Sequence, residues 1–343
     1  MKQRHPFRAW NKNWKPKRIL VLRFHALGDI VITLPYLNSL KKQMPEAAIC
    51  LLTRLEFSDL PKSLTLFDEV ITFDDHRNGK FQFLRALTKL PLLWSRRYDI
   101  VLDLQTNRTS RTIRNLLYPA AWSEFDKVSH RPAAERTRAC INQLCLCQVD
   151  LQNDFVQRVD PFSLTQKLRQ QGWDNDDKIV TINPCGGFAT RNWPIENYAQ
   201  FCKLWLTRFP KTQFLVMGTS PMRIKAAFLK EILGGHIIDL TGLTSQSEAF
   251  ALIRMNHFVV TEDGGLMHMA WVQSVPTLAL FGSTATYWSA PQGVRSVCLN
   301  SSDLPCGNCM LEVCRYGDNR CLTRYTPEFV FEKSVGLLSS LGQ

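Results

Sequence analysis

Regular patterning begins at residue 18. Residues 18–24, RILVLRF, form a β-rich apolar run that ends at HALGD (25–29). From Ile30 to Gln43 the apolar residues recur at helical spacing, and Lys41 and Lys42 fall in the last turn, where cations suit the helix dipole. AAICLLT (47–53) reads as the next strand, so the opening is β-loop-α-β, the start of a doubly wound α/β domain. YDIVLDLQ (98–105) is a further strand with a helix expected after it.

Residues 150–178 are polar, rich in Asp and Gln, and poor in strand signals, which marks them as the inter-domain connection. A second α/β series follows. KIVTIN (178–183), QFLVMG (213–218), HIIDLTG (236–242), HFVVTEDG (257–264) and PTLALFG (276–282) are strand-like, with helical stretches such as 195–209 and 245–255 between them. Short strands spaced by helices predict a parallel sheet. A terminal helix is expected over 327–341, with Pro327 near its start. The chain thus reads as two α/β domains, 1–165 and 166–343, with a basic arm at 1–18. Ligands of such sheets bind beyond the carboxyl ends of the strands, which directs attention to the loops there.

The length of 343 residues agrees with two domains. No run of about 18 apolar residues is present, so no transmembrane helix is expected, and the basic N-terminus lacks the apolar core of a secretory signal. Lys and Arg number 42 against 30 Asp and Glu, a net charge of +12, which implies an acidic partner. That excess is uneven. Residues 1–140 hold 25 Lys+Arg and 13 Asp+Glu, whereas residues 141–343 hold 17 of each. Residues 1–18 carry seven Lys/Arg, no acid, and interleaved Phe7, Trp10 and Trp14, which suits an anionic membrane interface or a mobile solvated tail. A basic chain with aromatics also fits a nucleic-acid binder superficially, but no recognised nucleic-acid module is visible.

Four loops carry candidate chemistry. In Leu27-Gly28-Asp29-Ile30, Gly28 permits a tight turn, and Asp29 at the helix start reads either as an N-cap or as a general base. The dinucleotide fingerprint G-x-G-x-x-G is absent, which argues against a nicotinamide dehydrogenase. In residues 261–270, Asp263, Gly264 and Gly265 follow an apolar strand and open a helix, an arrangement that lets phosphate approach backbone N–H groups. Asp263 alone could be a cap, and His268 on an apolar face could be a satisfied core histidine. Thr190 and Arg191 precede Trp193-Pro194, where Arg191 could grip a diphosphate bidentately or stand as a solvated loop arginine. Gly282, Ser283 and Thr284 end a strand and offer hydroxyls and N–H groups. On the first domain, Gln105 lies in the LQTNR loop, and Arg108, Arg111 and Arg114 recur at i, i+3, i+6, as an acceptor-side face or a solvated one. Arg131, Arg136 and Arg138 form a second basic group.

Of eleven cysteines, seven are scattered among apolar neighbours and read as small buried hydrophobes. The others form Cys306-x2-Cys309-x4-Cys314-x6-Cys321. Four thiols within sixteen residues could form a metal or redox-linked cluster or stay as reduced packing thiols, and the spacing differs from paired C-x2-C zinc ribbons.

Taken together, RILVLRFHALGDIVITLPYLNSLKKQMP (18–45) resembles the N-terminal motif of the glycosyltransferase family 9 heptosyltransferases. VTEDGGLMHMAWVQSVPTLALFGST (260–284) resembles that family's donor-site motif, INPCGGFATRNWP (182–194) its K/R-x-W-P loop, and LTGLTS a further segment. The resemblance spans roughly residues 18–330. It implies an α/β GT-B fold of two Rossmann-like, doubly wound domains facing a central cleft, with acceptor in the N-terminal and nucleotide sugar in the C-terminal domain. It implies inverting, metal-independent transfer of heptose from ADP-heptose to the inner core or lipid A precursor of lipopolysaccharide. Its partners would then be a nucleotide sugar, a phosphorylated glycolipid and an anionic membrane surface, with no nucleic acid and no cofactor beyond the donor. Its place would be cytoplasmic, peripheral at the inner face of the bacterial cytoplasmic membrane. Asp29 matches the family's catalytic aspartate, Arg191 its basic residue before Trp-Pro, and Asp263, Gly265 and His268 its donor residues. Thr190, Gly264, Gly282 and Ser283 fall on the donor side, and Gln105, Arg108 and Arg111 on the acceptor side. A similar cysteine run occurs in some of its members. Two departures stand out: Gly264 replaces the usual Thr or Ser, and Thr219–Arg223 replaces a segment that often carries an acid, which leaves a related transferase with another nucleotide sugar or acceptor as the alternative.

Overall fold

A computed structural model describes residues 6–74 and 79–343, so the first five residues of the basic arm lie outside the described residues. The chain divides into two units, Met1–Arg158 and Val159–Gln343. The division precedes helix Pro161–Gln170, whose N-cap Asp160 accepts from Phe162 N and Ser163 N at 3.1 and 3.0 Å. The segment read from sequence as a connection is therefore partly helix, and a boundary at 165 would cut that helix.

The first unit contains β1 (Phe7–Arg8), β2 (Arg18–Leu22), β3 (Ala48–Arg54), β4 (Glu69–Phe73), β5 (Ile100–Asp103) and β6 (Ala121–Glu124). Their order is β1-β6-β5-β2-β3-β4, parallel except for the antiparallel edge strand β1. Ile19 to Leu22 are all buried, as expected for a parallel strand covered on both faces. Helix Leu27–Gln43 is buried continuously from Ile30 to Leu40. Its first turn, Leu27-Gly28-Asp29, is less buried, and the apolar periodicity therefore shows only from Ile30. The arm is not a free tail where it is described. Phe7 and Arg8 pair with Ser123 and Trp122, Trp10 N donates to Leu144 O at 2.9 Å, and Asp99 Oδ2 accepts from Lys17 N and Arg18 N at 2.7 and 3.0 Å.

The second unit contains β7 (Lys178–Asn183), β8 (Thr212–Val216), β9 (Ile237–Asp239), β10 (Phe258–Glu262), β11 (Thr277–Leu280) and β12 (Ser296–Leu299). The order β12-β11-β10-β7-β8-β9 is wholly parallel. Numbered within the unit, this is the doubly wound order 3-2-1-4-5-6, which reverses between β7 and β10. In the first unit the same reversal lies between β2 and β5. Trp193, Tyr198, Phe201, Trp205 and Phe258 fill the core of the second sheet, each such side chain contributing about 1.5–3 kcal/mol on burial. The terminal helix runs Pro327–Ser340.

Candidate active site

In the first unit the loops after β2 and β5 leave neighbouring strands at the switch point. Each contains a non-glycine residue in the left-handed region, Ala26 at φ 39° and Thr106 at φ 47°. Such backbone costs roughly 1–3 kcal/mol and concentrates at functional sites. The tight turn expected at Gly28 is made at Ala26 instead, and Gly28 sits within the first helical turn. Asp29 occupies that turn without a capping hydrogen bond; Arg23 Nη2 lies 3.2 Å from its Oδ1. Arg23 is buried, donates through Nη1 to Leu104 O, and lies over the Phe125 ring at 5.1 Å. Asp29 itself is 38% exposed, so its orientation is fixed from below while its carboxylate stays accessible.

Cations surround this carboxylate. Arg136 stacks on the same Phe125 at 4.9 Å. Partial desolvation, then Arg54, Lys127 and Arg23, lower the His25 imidazole against the opposing pull of Asp29. Desolvation and Arg23 likewise lower Lys127. Gln105, expected to face an acceptor, is buried; its Oε1 accepts from Phe24 N and His25 N at 2.7 and 3.1 Å. It shapes the loop rather than presenting an open amide oxygen. The arginine series fans from outside to inside. Arg108 is exposed over Phe83 at 5.5 Å, Arg111 grips Glu124 through Nε and Nη2 at 3.2 and 3.0 Å, and Arg114 is buried between Glu124, Asp103 and the Trp122 ring. Arg111 and Arg114 are thus anchored to a buried carboxylate, and neither reading of a single common face describes them.

In the second unit the decisive group is Glu262, at the end of β10. It is fully buried, and its carboxylate accepts from Trp193 N at 2.6 Å, from Gly186 N, and from Tyr198 Oη at 3.4 Å. Burial pushes its carboxyl up to about 8, opposed by Lys225 and these donors. Lys225 Nζ donates to Pro184 O at 2.5 Å and Asn192 Oδ1 at 2.6 Å. Both ends of the loop 184–193 are therefore clamped. Within it Gly186 packs so tightly on Arg191 that a Cβ would stand 2.4 Å from Arg191 Cβ.

The loop presents Arg191 to Asp263, Nη1 to Oδ2 3.5 Å, with the guanidinium 4.2 Å over Phe188. Asp263 also accepts from Ser289 Oγ at 3.2 Å. Buried with no partner among the described residues are Arg191 Nε and, at the end of β7, Asn183 Oδ1. Gly264 is the extended N-cap of helix Gly265–Val272 and offers no side-chain cap. Its first N–H groups thus have no intrahelical partner and no side-chain cap among the described residues. His268 is buried in that helix; Trp271 Nε1 donates to its Nδ1 at 3.1 Å, which places the ring proton on Nε2. Thr190, Gly282 and Ser283 do come together. Thr190 Oγ1 and Ser283 Oγ are 2.9 Å apart, Ser283 N donates to Thr190 O at 3.2 Å, and a Cβ on Gly282 would stand 1.9 Å from Thr190 O. Both hydroxyls are buried in this contact, so these residues brace the Arg191 turn.

The four clustered cysteines lie between β12 and the terminal helix, partly exposed. Among the described residues no three Cys, His, Asp or Glu side chains stand where they could share a metal ion. Hydrogen bonds from the backbone N–H groups of Tyr316, Asn319, Gly317 and Asp318 lower the Cys314 thiol. Burial, and the nearness of Cys314, Cys309 and Cys306, push Cys321 up to about 11.

Glu262, Lys225, Arg23 and Gly186 had no assigned role in the sequence. Glu262 was visible as a charge ending an otherwise apolar strand; Lys225 carries no local signal, because it meets the loop only through the fold.

Residues 92–319 match the family model for glycosyltransferase family 9 (heptosyltransferase). Lipopolysaccharide heptosyltransferase 1 of Pseudomonas aeruginosa is 23% identical, with 94% of this chain and 98% of that protein covered. The crystal structure of the glycosyl transferase family 9 from Veillonella parvula has a TM-score of 0.78 at 19% identity, covering 94% of this chain and 97% of that one. That of E. coli ADP-heptose lps heptosyltransferase II has 0.73 at 19%, covering 95% and 100%. With sheet order, switch-point loops and family match in agreement, the chain is a glycosyltransferase of GT-B fold, two Rossmann-like domains, and belongs to glycosyltransferase family 9, the heptosyltransferase family.

Proposed function

We propose that the protein transfers heptose from ADP-heptose to a phosphorylated inner-core or lipid A precursor acceptor of lipopolysaccharide, with inversion and without a catalytic metal. The observation that carries this reading is the clamped loop that holds Arg191 against Asp263 beside the open helix start at Gly265. In the reaction, Asp29 takes the proton of an acceptor hydroxyl, and that oxygen attacks the anomeric carbon. The bond from that carbon to the diphosphate oxygen breaks with its electron pair, so ADP leaves from the opposite face. Arg191 and the N–H groups from Gly265 onward meet the negative charge that grows on the diphosphate. The cations around Asp29 suit a phosphorylated acceptor, and an acceptor of that class lies in a membrane, so an anionic membrane surface is a partner in the same reading.

The test is a transfer assay with ADP-heptose and a panel of truncated core acceptors. General-base removal costs about 10²–10⁴-fold, so Asp29→Ala should lose turnover by that factor with donor binding unchanged. Transfer from a different nucleotide sugar but not from ADP-heptose overturns the donor assignment, and normal turnover of Asp29→Ala removes that residue from the chemistry.

A further inference from the structure

Helices Gly79–Leu87 and Leu90–Arg96 follow β4, and both pack on helix Arg108–Leu117. Ala86, Leu90 and Leu93 turn inward to the core of the first sheet. The remaining faces are not polar. Phe81, Leu84, Leu92 and Trp94 are 56%, 59%, 39% and 50% exposed, and Tyr118 beyond them is 86% exposed. Trp94 Nε1 donates to Leu116 O at 2.8 Å, which ties that indole to the end of helix Arg108–Leu117. Single exposed apolar side chains are ordinary, but large ones repeated along two consecutive helices call for an environment other than water.

The neighbouring surface is cationic. A groove of about 750 Å³ joins the arm to the end of the second helix, where Lys15, Lys17, Arg18, Arg96 and Arg97 and the half-exposed Trp14 line it with one carboxylate, Asp99. Asp99 Oδ2 is taken by two backbone N–H groups, and Arg96 pairs with Glu69 at 3.0 Å. Lys15, Lys17, Arg18 and Arg97, with Lys89 ahead of the helix, have no carboxylate partner among the described residues. The groove lies at the N-terminal ends of β2 and β5, a strand length of about 16 Å from the Asp29 loop, so it is separate from the transfer site.

We propose that these two helices and the arm segment Trp14–Arg18 form the surface by which the protein sits on an anionic bilayer. A dissolved polyanion would engage the cations and leave the apolar side chains in water. The bilayer interface takes both, apolar side chains and indole rings at the acyl boundary and cations among the headgroups. This rests on the reading that the acceptor is a membrane glycolipid.

The test is flotation of the full chain with phosphatidylcholine vesicles, with and without phosphatidylglycerol, in the absence of donor and acceptor. The expected result is salt-sensitive binding to the anionic vesicles alone. Lys15→Gln and Arg97→Gln should each weaken it about fivefold, and Leu84→Ser/Leu92→Ser at least about tenfold. Transfer to a soluble truncated acceptor should be unchanged in all of them, which also shows that they fold. The proposal is overturned if the full chain stays unbound, if the variants float like the parent, or if the parent is a dimer that Leu84→Ser/Leu92→Ser dissociates. A failed surface leaves the transfer reading standing, and failed transfer from ADP-heptose leaves the surface standing.

Discussion

The backbone N–H of Trp193 donates to Glu262 Oε1 at 2.6 Å, and the other carboxylate oxygen accepts from Gly186 N. One buried side chain thus closes the loop that carries Arg191. In Glu262→Gln one of these two N–H groups would face an amide NH2 instead of an oxygen. A hydrogen bond to a charged group contributes about 1.5–3 kcal/mol, so above about pH 8, where the carboxylate is ionised, stability should fall by that order in denaturant unfolding. Displacing Arg191 by even a fraction of an ångström should lower kcat/KM for the donor by about 10–100-fold. If Glu262 only supports the core, unfolding will change and donor kinetics will not.

The same carboxyl sets a pH dependence. Burial raises it from an ordinary 4.5 to about 8, so the folded state binds its proton more tightly than the unfolded state. Stability linked to Glu262 therefore falls as pH rises from 4.5 to about 8. Activity should run the other way, since only the ionised form accepts from both N–H groups. Tyr198 and Cys185 beside it are pushed up by burial and stay neutral through this window, and Lys225 is the facing cation. A kcat/KM profile that rises through about pH 8, and flattens in Glu262→Gln, is the expected record.

Much of this architecture was legible in the sequence, for a physical reason. Strands such as β2, β7 and β10 are covered on both faces and read as unbroken apolar runs, and Gly264-Gly265 and Trp193-Pro194 announce strand-to-helix turns. Strands β4 (EVITF) and β6 (AWSE) are no shorter than others that stand out, but Glu69, Thr72, Ser123 and Glu124 break their apolar runs. The clamp was not legible because Glu262 and Trp193 are 69 residues apart, and Lys225 and Asn192 are 33 apart. The parallel pairing of β7 with β10 brings the first pair together, and its pairing with β8, whose following helix carries Lys225, the second. Gln105 and Thr190 show what the local sequence hides: their polar side chains hydrogen-bond the loops after β2 and β11 and the cysteine-bearing segment, partners distant along the chain.

Asp29 is oriented by Arg23, whose guanidinium reaches Leu104 O and Asp29 at once. A lysine in its place keeps the charge but not the fork. Arg23→Lys should therefore lower kcat, with the donor's KM little changed, while Arg23→Met should also lower thermal stability by exposing no new partner for Leu104 O. Equal losses in kcat and in donor binding would assign Arg23 to the fold alone.

The glycines of the donor side divide into required and free. A Cβ at Gly282 or Gly186 would meet backbone or Cβ atoms at 1.9 and 2.4 Å, whereas at Gly264 the nearest atom is Cys185 O at 3.7 Å. Overpacking of this kind costs about 1–3 kcal/mol, so Gly282→Ala and Gly186→Ala should lower Tm and donor affinity together. Gly264→Ser, which supplies the hydroxyl usual in the family, should change stability by less than about 0.5 kcal/mol. Gly264 is extended at φ −176°, so no backbone strain accompanies the change. Differential scanning calorimetry of the three variants separates them.

The cysteine cluster offers a last discrimination. Backbone N–H groups of residues 316–319 stabilise the Cys314 thiolate, and burial with three neighbouring sulfurs opposes ionisation of Cys321. The thiolate is the reactive form, so of these four iodoacetamide near neutral pH should label Cys314 first and Cys321 last. Mass spectrometry of peptides taken at increasing times gives the order directly. A metal shared by the four sulfurs would impose a different pattern: all four would be protected together and released together by a chelator. Sequential labelling that is unchanged by chelator is the result that the positions of these thiols predict, and concerted protection would show that the cluster closes on a metal.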